Sequence, residues 1–231
     1  MAKKRRGKSR YLPVRVTPRE GWGIALEVAG VVQSVSVPDG EEAGKRDASL
    51  AARGGEPQPG PGGGYWGLML PPGCPRRALL LGLGGGTVAS LLARRCPDAE
   101  IVGVDNDAEV LAVARSGFGL DALPQLRVEL ADAFAWVAEH VASEPGTFDL
   151  ICLDLFQAGR LTLGALATPF LRQVGALLAP GGILTVNLMV TARTPDQVHR
   201  LERVFTLRRE LRLRGNLVVH ATPREEELEK E

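Results

Sequence analysis

Short apolar runs and amphipathic stretches alternate along the chain from residue 77 onward. Short apolar runs bounded by turn signals are typical of buried strands, and helical spacing of apolar residues is typical of amphipathic helices. The pattern predicts strands at Ala78–Leu81, Glu100–Val104, Gln125–Leu130, Phe148–Leu153 and Ile183–Leu188. It predicts helices at Val88–Arg95, Ala108–Arg115, Ala133–Val141, Pro169–Leu178 and Thr194–Phe205. This alternation predicts an α/β domain over residues 65–222, built on a doubly wound parallel sheet.

Antiparallel pairs of strands are predicted at both ends of this region. Two strand-like segments, Leu207–Leu213 and Asn216–Ala221, are joined by Arg214-Gly215, which favours an antiparallel hairpin. Residues 11–38 contain alternating polar and apolar positions, and we expect them to form a small β-hairpin unit. Because an isolated hairpin is marginally stable, this unit should pack on the main domain or on a second subunit.

Three further segments show no apolar periodicity. Residues 1–10 carry only positive charges and residues 223–231 are mostly acidic, which is typical of disordered, solvated tails. Residues 39–64 are charged and then rich in Pro and Gly, and we interpret them as a flexible linker. The basic tail contains no aromatic residue for base stacking, so a nucleic-acid partner is not expected.

The composition is that of an ordinary water-soluble protein, with 45% hydrophobic residues and a formal net charge of +1 over 231 residues. Apolar runs fall short of the ~20 residues of a membrane span, and the start of the chain lacks the apolar core of a signal peptide. Cys74, Cys96 and Cys152 form no Cys-x-x-Cys pair. We therefore expect a cytoplasmic protein with reduced thiols, without a disulfide. Neither the cysteines nor the histidines have metal-ligand spacing, so no metal site is expected.

One stretch, ALLLGLGGGT at residues 78–87, carries most of the functional information. It combines an apolar strand, a glycine-rich turn and the start of a helix. Glycines permit positive φ and let a ligand approach the backbone, and a helix start presents unpaired N–H groups. A second apolar strand, about 20 residues later, ends at Asp105, where a carboxylate can bind ribose hydroxyls. Together these features indicate a nucleotide or nucleoside site.

Five motifs follow in order along the chain: LGLGGGT, VGVDND, ELADAF, FDLICLDLF and LLAPGGILTVNL. In this order they resemble the spermidine synthase (polyamine aminopropyltransferase) family, within the class I fold that binds S-adenosylmethionine or its decarboxylated form. The resemblance runs from about Tyr11 to Leu188. It implies a Rossmann-like class I methyltransferase sheet, which differs from a nicotinamide-binding sheet by its terminal antiparallel hairpin. It also implies a homodimer.

The resemblance assigns a cofactor site to Gly82, Gly84, Gly86, Asp105, Asp132 and Ala133. Asp105 would bind the ribose hydroxyls and Asp132 the adenine amino group, while the glycines would admit the amino-acid end of the ligand. The catalytic residue implied is Asp154, the base that removes a proton from the attacking amine. The substrate-side positions implied are Gln33, Tyr65 and Gln157.

Acids that the family uses around a polyamine are absent from this chain. Gly67, Gly85 and Gln157 stand where the family has acidic residues. A polyamine carries several positive charges, and a buried charge without a partner is heavily destabilising. We therefore expect a transferase that uses S-adenosylmethionine to methylate a small acceptor less cationic than a polyamine, with S-adenosylhomocysteine as product.

Two other interpretations stay open at this point. Acids elsewhere in the fold could replace the missing ones, which would keep aminopropyl transfer to a diamine, with methylthioadenosine as product. Alternatively, the chain is a non-catalytic nucleoside-binding or scaffold protein, and Asp154 is merely an acid at the end of a strand. A nicotinamide dehydrogenase is less consistent with the sequence, because Thr87 replaces the last glycine or alanine of that fingerprint.

Overall fold

The computed structural model describes residues 14–19, 23–28, 30–36 and 64–224. The predicted tail at 1–10, residues 225–231 of the predicted tail at 223–231 and residues 39–63 of the predicted linker lie outside the described residues, whereas Pro223 belongs to the last strand. The strands in the described part are β1 (Val14–Arg19), β2 (Gly23–Val28), β3 (Val31–Val35), β4 (Arg77–Leu81), β5 (Glu100–Asp105), β6 (Leu126–Leu130), β7 (Phe148–Leu153), β8 (Phe156–Gln157), β9 (Arg160–Leu161), β10 (Leu178–Met189), β11 (Phe205–Leu213) and β12 (Asn216–Pro223). The α-helices are α1 (Thr87–Arg95), α2 (Ala108–Phe118), α3 (Ala133–His140), α4 (Thr168–Leu177) and α5 (Thr194–Glu202). Short 3-10 turns occupy Tyr65–Met69 and Leu120–Ala122.

A seven-stranded sheet, in the order β11-β12-β10-β7-β4-β5-β6, forms the centre of the domain. The neighbours from β10 to β6 are parallel, whereas β12 runs antiparallel to both β10 and β11. The doubly wound sheet and its terminal antiparallel hairpin are therefore confirmed. The strands β5 and β6 extend the sheet on one side of β4. The chain then crosses back, and β7 pairs with the other side of β4, so the strand order reverses between β4 and β7. Ligands in open α/β sheets bind at such a reversal, outside the carboxyl ends of the strands.

Both faces of the sheet are covered, which explains the near-continuous apolar run of β7. Ile151 and Leu153 point into a core that includes Trp136 of α3. Leu150 and Cys152 point into the opposite core, which includes Leu92 of α1. Successive side chains of a strand alternate between faces, so a strand buried on both sides requires apolar residues at every position.

The strands β1, β2 and β3 form a separate antiparallel sheet, one strand larger than a hairpin, which contacts the main domain at the glycine turn. The Ser34 hydroxyl accepts a hydrogen bond from the backbone N–H of Gly85 at 2.7 Å. The Thr87 hydroxyl accepts from the Val35 N–H at 2.9 Å and donates to the Val35 carbonyl at 2.7 Å. The expectation that this unit packs on the main domain is confirmed by these contacts.

The expectation of three reduced cysteines is wrong. Cys74 and Cys96 form a disulfide, with their Cα atoms 5.5 Å apart. The reason is tertiary: α1 runs back along the sheet and ends beside the segment that precedes β4. The Arg95 guanidinium bridges the same two segments by donating to the Pro71 and Gly73 carbonyls, at 2.8 and 3.0 Å. Cys152 is a buried free thiol, and burial raises its pKa to about 12.

Two local features differ from the predicted elements. The strand β10 begins at Leu178, before the predicted strand Ile183–Leu188, and it changes register against β7 between Leu178 and Ile183. The segment after β7 contains the paired strands β8 and β9, which the pattern of apolar residues did not predict. None of the helices in the described part of the chain has the length and apolar character needed to span a bilayer.

Candidate active site

A cleft of about 430 Å³ opens at the carboxyl ends of β4, β5 and β7, where the strand order reverses. The glycine turn after β4 and the residues following β5, β6 and β7 line the main domain side. The strand β3 and the β8–β9 hairpin line the remaining walls. The cleft therefore lies between the main sheet and the small amino-terminal sheet.

Most of the residues predicted from the sequence share this cleft: Gln33, Gly82, Gly84, Asp105, Asp132, Ala133, Asp154 and Gln157. Gly86 and Tyr65 are not among the lining residues. Gly86 lies behind the turn, where an added Cβ would come within 2.3 Å of the Leu120 side chain. Tyr65 lies behind the cleft wall and contacts Asp154 directly, as described below.

The glycine turn supplies space and does not supply free backbone donors. Gly82 has a φ of +91°, and an added Cβ would lie 2.3 Å from the Asp154 carbonyl oxygen, so a side chain cannot be accommodated there. The N–H groups of Gly82 and Leu83 both donate to the Val104 carbonyl, at 3.0 and 3.1 Å. The Gly84 N–H donates to Asp105 at 2.8 Å. A ligand at this turn would therefore meet close, unobstructed backbone.

Asp105 is fixed at the end of β5 by two backbone donors. Its Oδ2 accepts from Gly84 N–H at 2.8 Å, and its Oδ1 accepts from Asp107 N–H at 3.0 Å. Burial raises the pKa of Asp105, and these hydrogen bonds oppose the rise. A carboxylate has about four acceptor sites. Asp105, which also accepts from the backbone of Asn106 and lines the cleft, therefore keeps acceptor capacity for a ribose hydroxyl.

Asp132 has a second role that the sequence reasoning missed. It is the N-cap of α3, and its Oδ1 accepts from the N–H groups of Phe134 and Ala135, both at 3.0 Å. An Asp directly before a helical segment is a recognisable capping signal, so the pattern could have indicated this role. The other carboxylate oxygen, Oδ2, takes no part in these two capping bonds. Asp132 could therefore cap α3 and still accept a hydrogen bond from an adenine amino group.

Asp154 is held from both sides at the end of β7. The Tyr65 hydroxyl donates to its Oδ2 at 2.7 Å, and the Asn187 side-chain amide donates to its Oδ1 at 2.9 Å. Burial raises the pKa of Asp154 to about 6, while these two hydrogen bonds lower it. Burial and the neighbouring Asp154 charge raise the pKa of Tyr65 well above its ordinary value. A carboxyl group that titrates near neutrality is suited to act as a general base.

Sequence reasoning also missed Asn187 and Ser34. Asn187 is 2% exposed and interrupts the apolar run of β10, and this interruption is the signal that could have drawn attention to it. Ser34 is equally buried, but a serine beside the predicted Gln33 carries no distinctive pattern. The charged residues among the described lining of the cleft are all carboxylates: Asp105, Asp107, Asp132 and Asp154. Among the described residues, no group of three or more His, Cys, Asp or Glu side chains has a metal-binding arrangement.

Comparison with known proteins shows what the region that forms most of this cleft is similar to. A family model described as "Methyltransferase domain" matches residues 78–182, from β4 to the early part of β10. The glycine turn, Asp105, Asp132 and Asp154 all lie within the matched residues.

A trans-aconitate 2-methyltransferase from Methylobacterium radiotolerans is 37% identical over 136 residues, covering 58% of this chain and 45% of the relative. The chain spans about half the length of the curated relatives it matches. Human Methyltransferase-like protein 13, solved in complex with SAH, is 25% identical, with a TM-score of 0.58 over 66% of this chain and 74% of that chain. A probable spermidine synthase from Corynebacterium glutamicum shares the fold with a TM-score of 0.65 at 18% identity, over 94% and 78% of the two chains. The matched residues therefore lie within a fold that this probable spermidine synthase also has.

Proposed function

We propose that this protein is an S-adenosylmethionine-dependent methyltransferase that acts on a small amine acceptor. The observation that carries the proposal is the arrangement of one cleft. A glycine turn and two acids at strand ends, Asp105 and Asp132, line the same cleft as Asp154. The pKa of Asp154 is raised to about 6. The methyltransferase domain match and the SAH complex of a relative support the choice of ligand.

The proposed cofactor position follows from the polar groups of the wall. The Asp105 carboxylate would accept from the ribose hydroxyls, and Oδ2 of Asp132 would accept from the adenine amino group. Phe134 lies in the same wall and offers an apolar surface to the purine. The methionine end would then lie against the glycine turn, where Gly82 and Gly84 present no side chains.

The reaction requires alignment and one proton transfer. Asp154, whose pKa of about 6 leaves it ionised at neutral pH, would first take a proton from the ammonium group of the acceptor and so free the nitrogen lone pair. Bound S-adenosylmethionine would supply a methyl group activated by its sulfonium charge. The electron pair of the broken carbon–sulfur bond would stay on sulfur, and the positive charge would pass to the methylated nitrogen. Positioning of the acceptor in the cleft would contribute further to the rate.

Charge in the cleft limits the acceptor. Four carboxylates line it, and no cationic side chain accompanies them among the described residues. These carboxylates would repel a polycarboxylate such as trans-aconitate, so the acceptor named for that relative does not suit this cleft. A polyamine would need carboxylates along its whole length, yet the substrate side offers the amides of Gln33 and Gln157. An amine carrying a single charge, next to Asp154, fits this arrangement best.

A second candidate is aminopropyl transfer from decarboxylated S-adenosylmethionine to a diamine. The observation that favours it is the 94% of this chain, including part of the amino-terminal sheet region, that aligns with a probable spermidine synthase. The homodimer implied by the family resemblance and the cytoplasmic location expected from the cysteine spacing stay predictions.

Calorimetry tests the cofactor, with S-adenosylmethionine, its decarboxylated form and methylthioadenosine as probes. Preferential binding of S-adenosylmethionine supports the proposal, and failure of all three to bind ends it. Release of S-adenosylhomocysteine from S-adenosylmethionine is then followed with benzylamine, putrescine or trans-aconitate as acceptor, and release of methylthioadenosine from the decarboxylated form is followed with putrescine. Transfer to benzylamine is expected, whereas aminopropyl transfer to putrescine would establish the second candidate. Asp154→Asn separates an enzyme from a scaffold, because the enzyme loses turnover and keeps cofactor binding.

A further inference from the structure

A row of side-chain hydrogen bonds connects the terminal hairpin to the cleft. The Asn216 amide, at the start of β12, donates to Asn187 Oδ1 at 2.9 Å. The Asn187 amide donates in turn to Asp154 Oδ1 at 2.9 Å, and the Tyr65 hydroxyl donates to Asp154 Oδ2 at 2.7 Å. Both carboxylate oxygens of Asp154 are therefore held by donors from outside the cleft.

Asn216 determines which way the Asn187 amide faces. An asparagine side chain has one oxygen acceptor and one NH₂ donor, and its neighbours decide their orientation. Because Asn216 donates to the oxygen of Asn187, the NH₂ group of Asn187 must point toward Asp154. Asn216 itself is held by the strand pairing of Met189 with Asn216 and by the Val190 N–H, which donates to Gly215 at 2.8 Å.

The position of Asn187 is difficult to explain by packing alone. Its neighbours on β10, Val186 and Leu188, are fully buried apolar residues, and Asn187 is only 2% exposed. A buried amide stabilises a core only when its polar groups are satisfied, and an apolar residue of similar volume is often as favourable. Asn187 does not line the cleft, so direct contact with a ligand does not explain it either.

We propose that Asn187, oriented by Asn216, is a positioning residue that fixes the Asp154 carboxylate so that its remaining lone pairs face the cleft. The inference rests on the proposed function, in which Asp154 is the base. It makes the terminal hairpin part of the working site, because the hairpin carries the group that orients Asn187. A rotated Asp154 would not meet the proton of the acceptor nitrogen.

The hydrogen bond from Asn187 favours the ionised form of Asp154, so its effect can be measured as a change in the pKa of Asp154. The Asn187 hydrogen bond lowers the pKa of Asp154, against a rise caused by burial. The other titratable groups facing Asp154 are Tyr65 from the 3-10 turn, Asp105 from β5 and Cys152 from β7. Replacing Asn187 keeps all three groups and removes one further hydrogen bond, which Asn187 makes with Tyr65. The midpoint of the Asp154 titration should therefore move to higher pH when the Asn187 side-chain amide is removed.

The test is a ¹³C NMR titration of the Asp154 carboxyl, assigned by comparison with Asp154→Asn. In Asn187→Leu the midpoint is expected to rise by about one pH unit. Thr185→Val is the matched control. Thr185 is a fully buried polar residue on the same face of β10, and its hydroxyl bonds to Cys152 instead of Asp154. The midpoint of the control should match that of the parent.

An unchanged midpoint in a folded Asn187→Leu protein would overturn the proposal, as would an equal shift in Thr185→Val. If Asn187→Leu fails to fold, Asn216→Leu serves instead, because Asn216 is only partly buried and its loss leaves Asn187 free to rotate. A smaller upward shift is expected there, and no shift would count against the orienting role. The titration needs neither cofactor nor acceptor. Failure of S-adenosylmethionine to bind would therefore refute the proposed function separately from the role of Asn187.

Discussion

Ser34 fills the space in which a side chain at position 85 would lie. Its hydroxyl accepts from the Gly85 N–H at 2.7 Å, and an added Cβ on Gly85 would come within 2.7 Å of the Ser34 Cβ. The resemblance to spermidine synthases places an acid at this position. Here the amino-terminal sheet occupies it, so the absent acid and the docking of that sheet are one feature of the structure.

Ser34→Ala should lower the free energy of unfolding by about 1–3 kcal/mol, because it leaves the buried N–H of Gly85 without a partner. Chemical denaturation of the parent and the variant measures the difference. Ser143→Ala is the control, since the Ser143 hydroxyl is exposed and far from the docking contact. Equal stability of Ser34→Ala and the control would show that this bond contributes little to docking.

Asp105→Asn should weaken binding of S-adenosylmethionine by about 10- to 100-fold, because a charged acceptor for the ribose hydroxyls is lost. Calorimetry on folded protein measures the dissociation constant. Asp98→Asn, an exposed acid between α1 and β5, should leave the dissociation constant unchanged. Undiminished binding by Asp105→Asn would remove this residue from the cofactor site.

Asp154→Asn should become more stable relative to the parent as pH rises from 4 to 8. Burial raises the pKa of Asp154 to about 6 in the folded protein, from an ordinary value of 3.8. The parent therefore loses stability as pH rises through this interval, whereas the neutral variant does not. Denaturation at pH 4.5 and 7.5 tests the trend, with the exposed Asp196→Asn as control. A difference in stability that does not vary with pH would contradict the raised pKa.

Replacement of the disulfide by Cys74→Ser and Cys96→Ala should lower the free energy of unfolding by about 3 kcal/mol. The bond closes a loop with a sequence separation of 22, and such a loop restricts the unfolded chain. Thermal denaturation of the parent with and without reductant provides the comparison. A parent whose stability is insensitive to complete reduction would show that the disulfide does not contribute.

The local pattern of apolar and polar residues predicted the main sheet and the positions of three acids at its edge. Each strand of the main sheet and each α-helix was visible in a short window, and the carboxyl ends of parallel strands necessarily meet at one edge. Asp105, Asp132 and Asp154 could therefore be placed near one another before any coordinates were known. The cleft that they share in the structure confirms this placement.

Packing between distant segments decided the rest. Ser34 meets Gly85 across 51 residues, Asn187 meets Asp154 across 33, and the disulfide joins positions 22 apart. Hydrophobic periodicity reports which face of an element is buried, but it does not report which residue of another element lies against that face. The sequence alone therefore determined the elements and the chemical type of the site. The tertiary structure decided which side chains hold Asp154 and which segment closes the glycine turn.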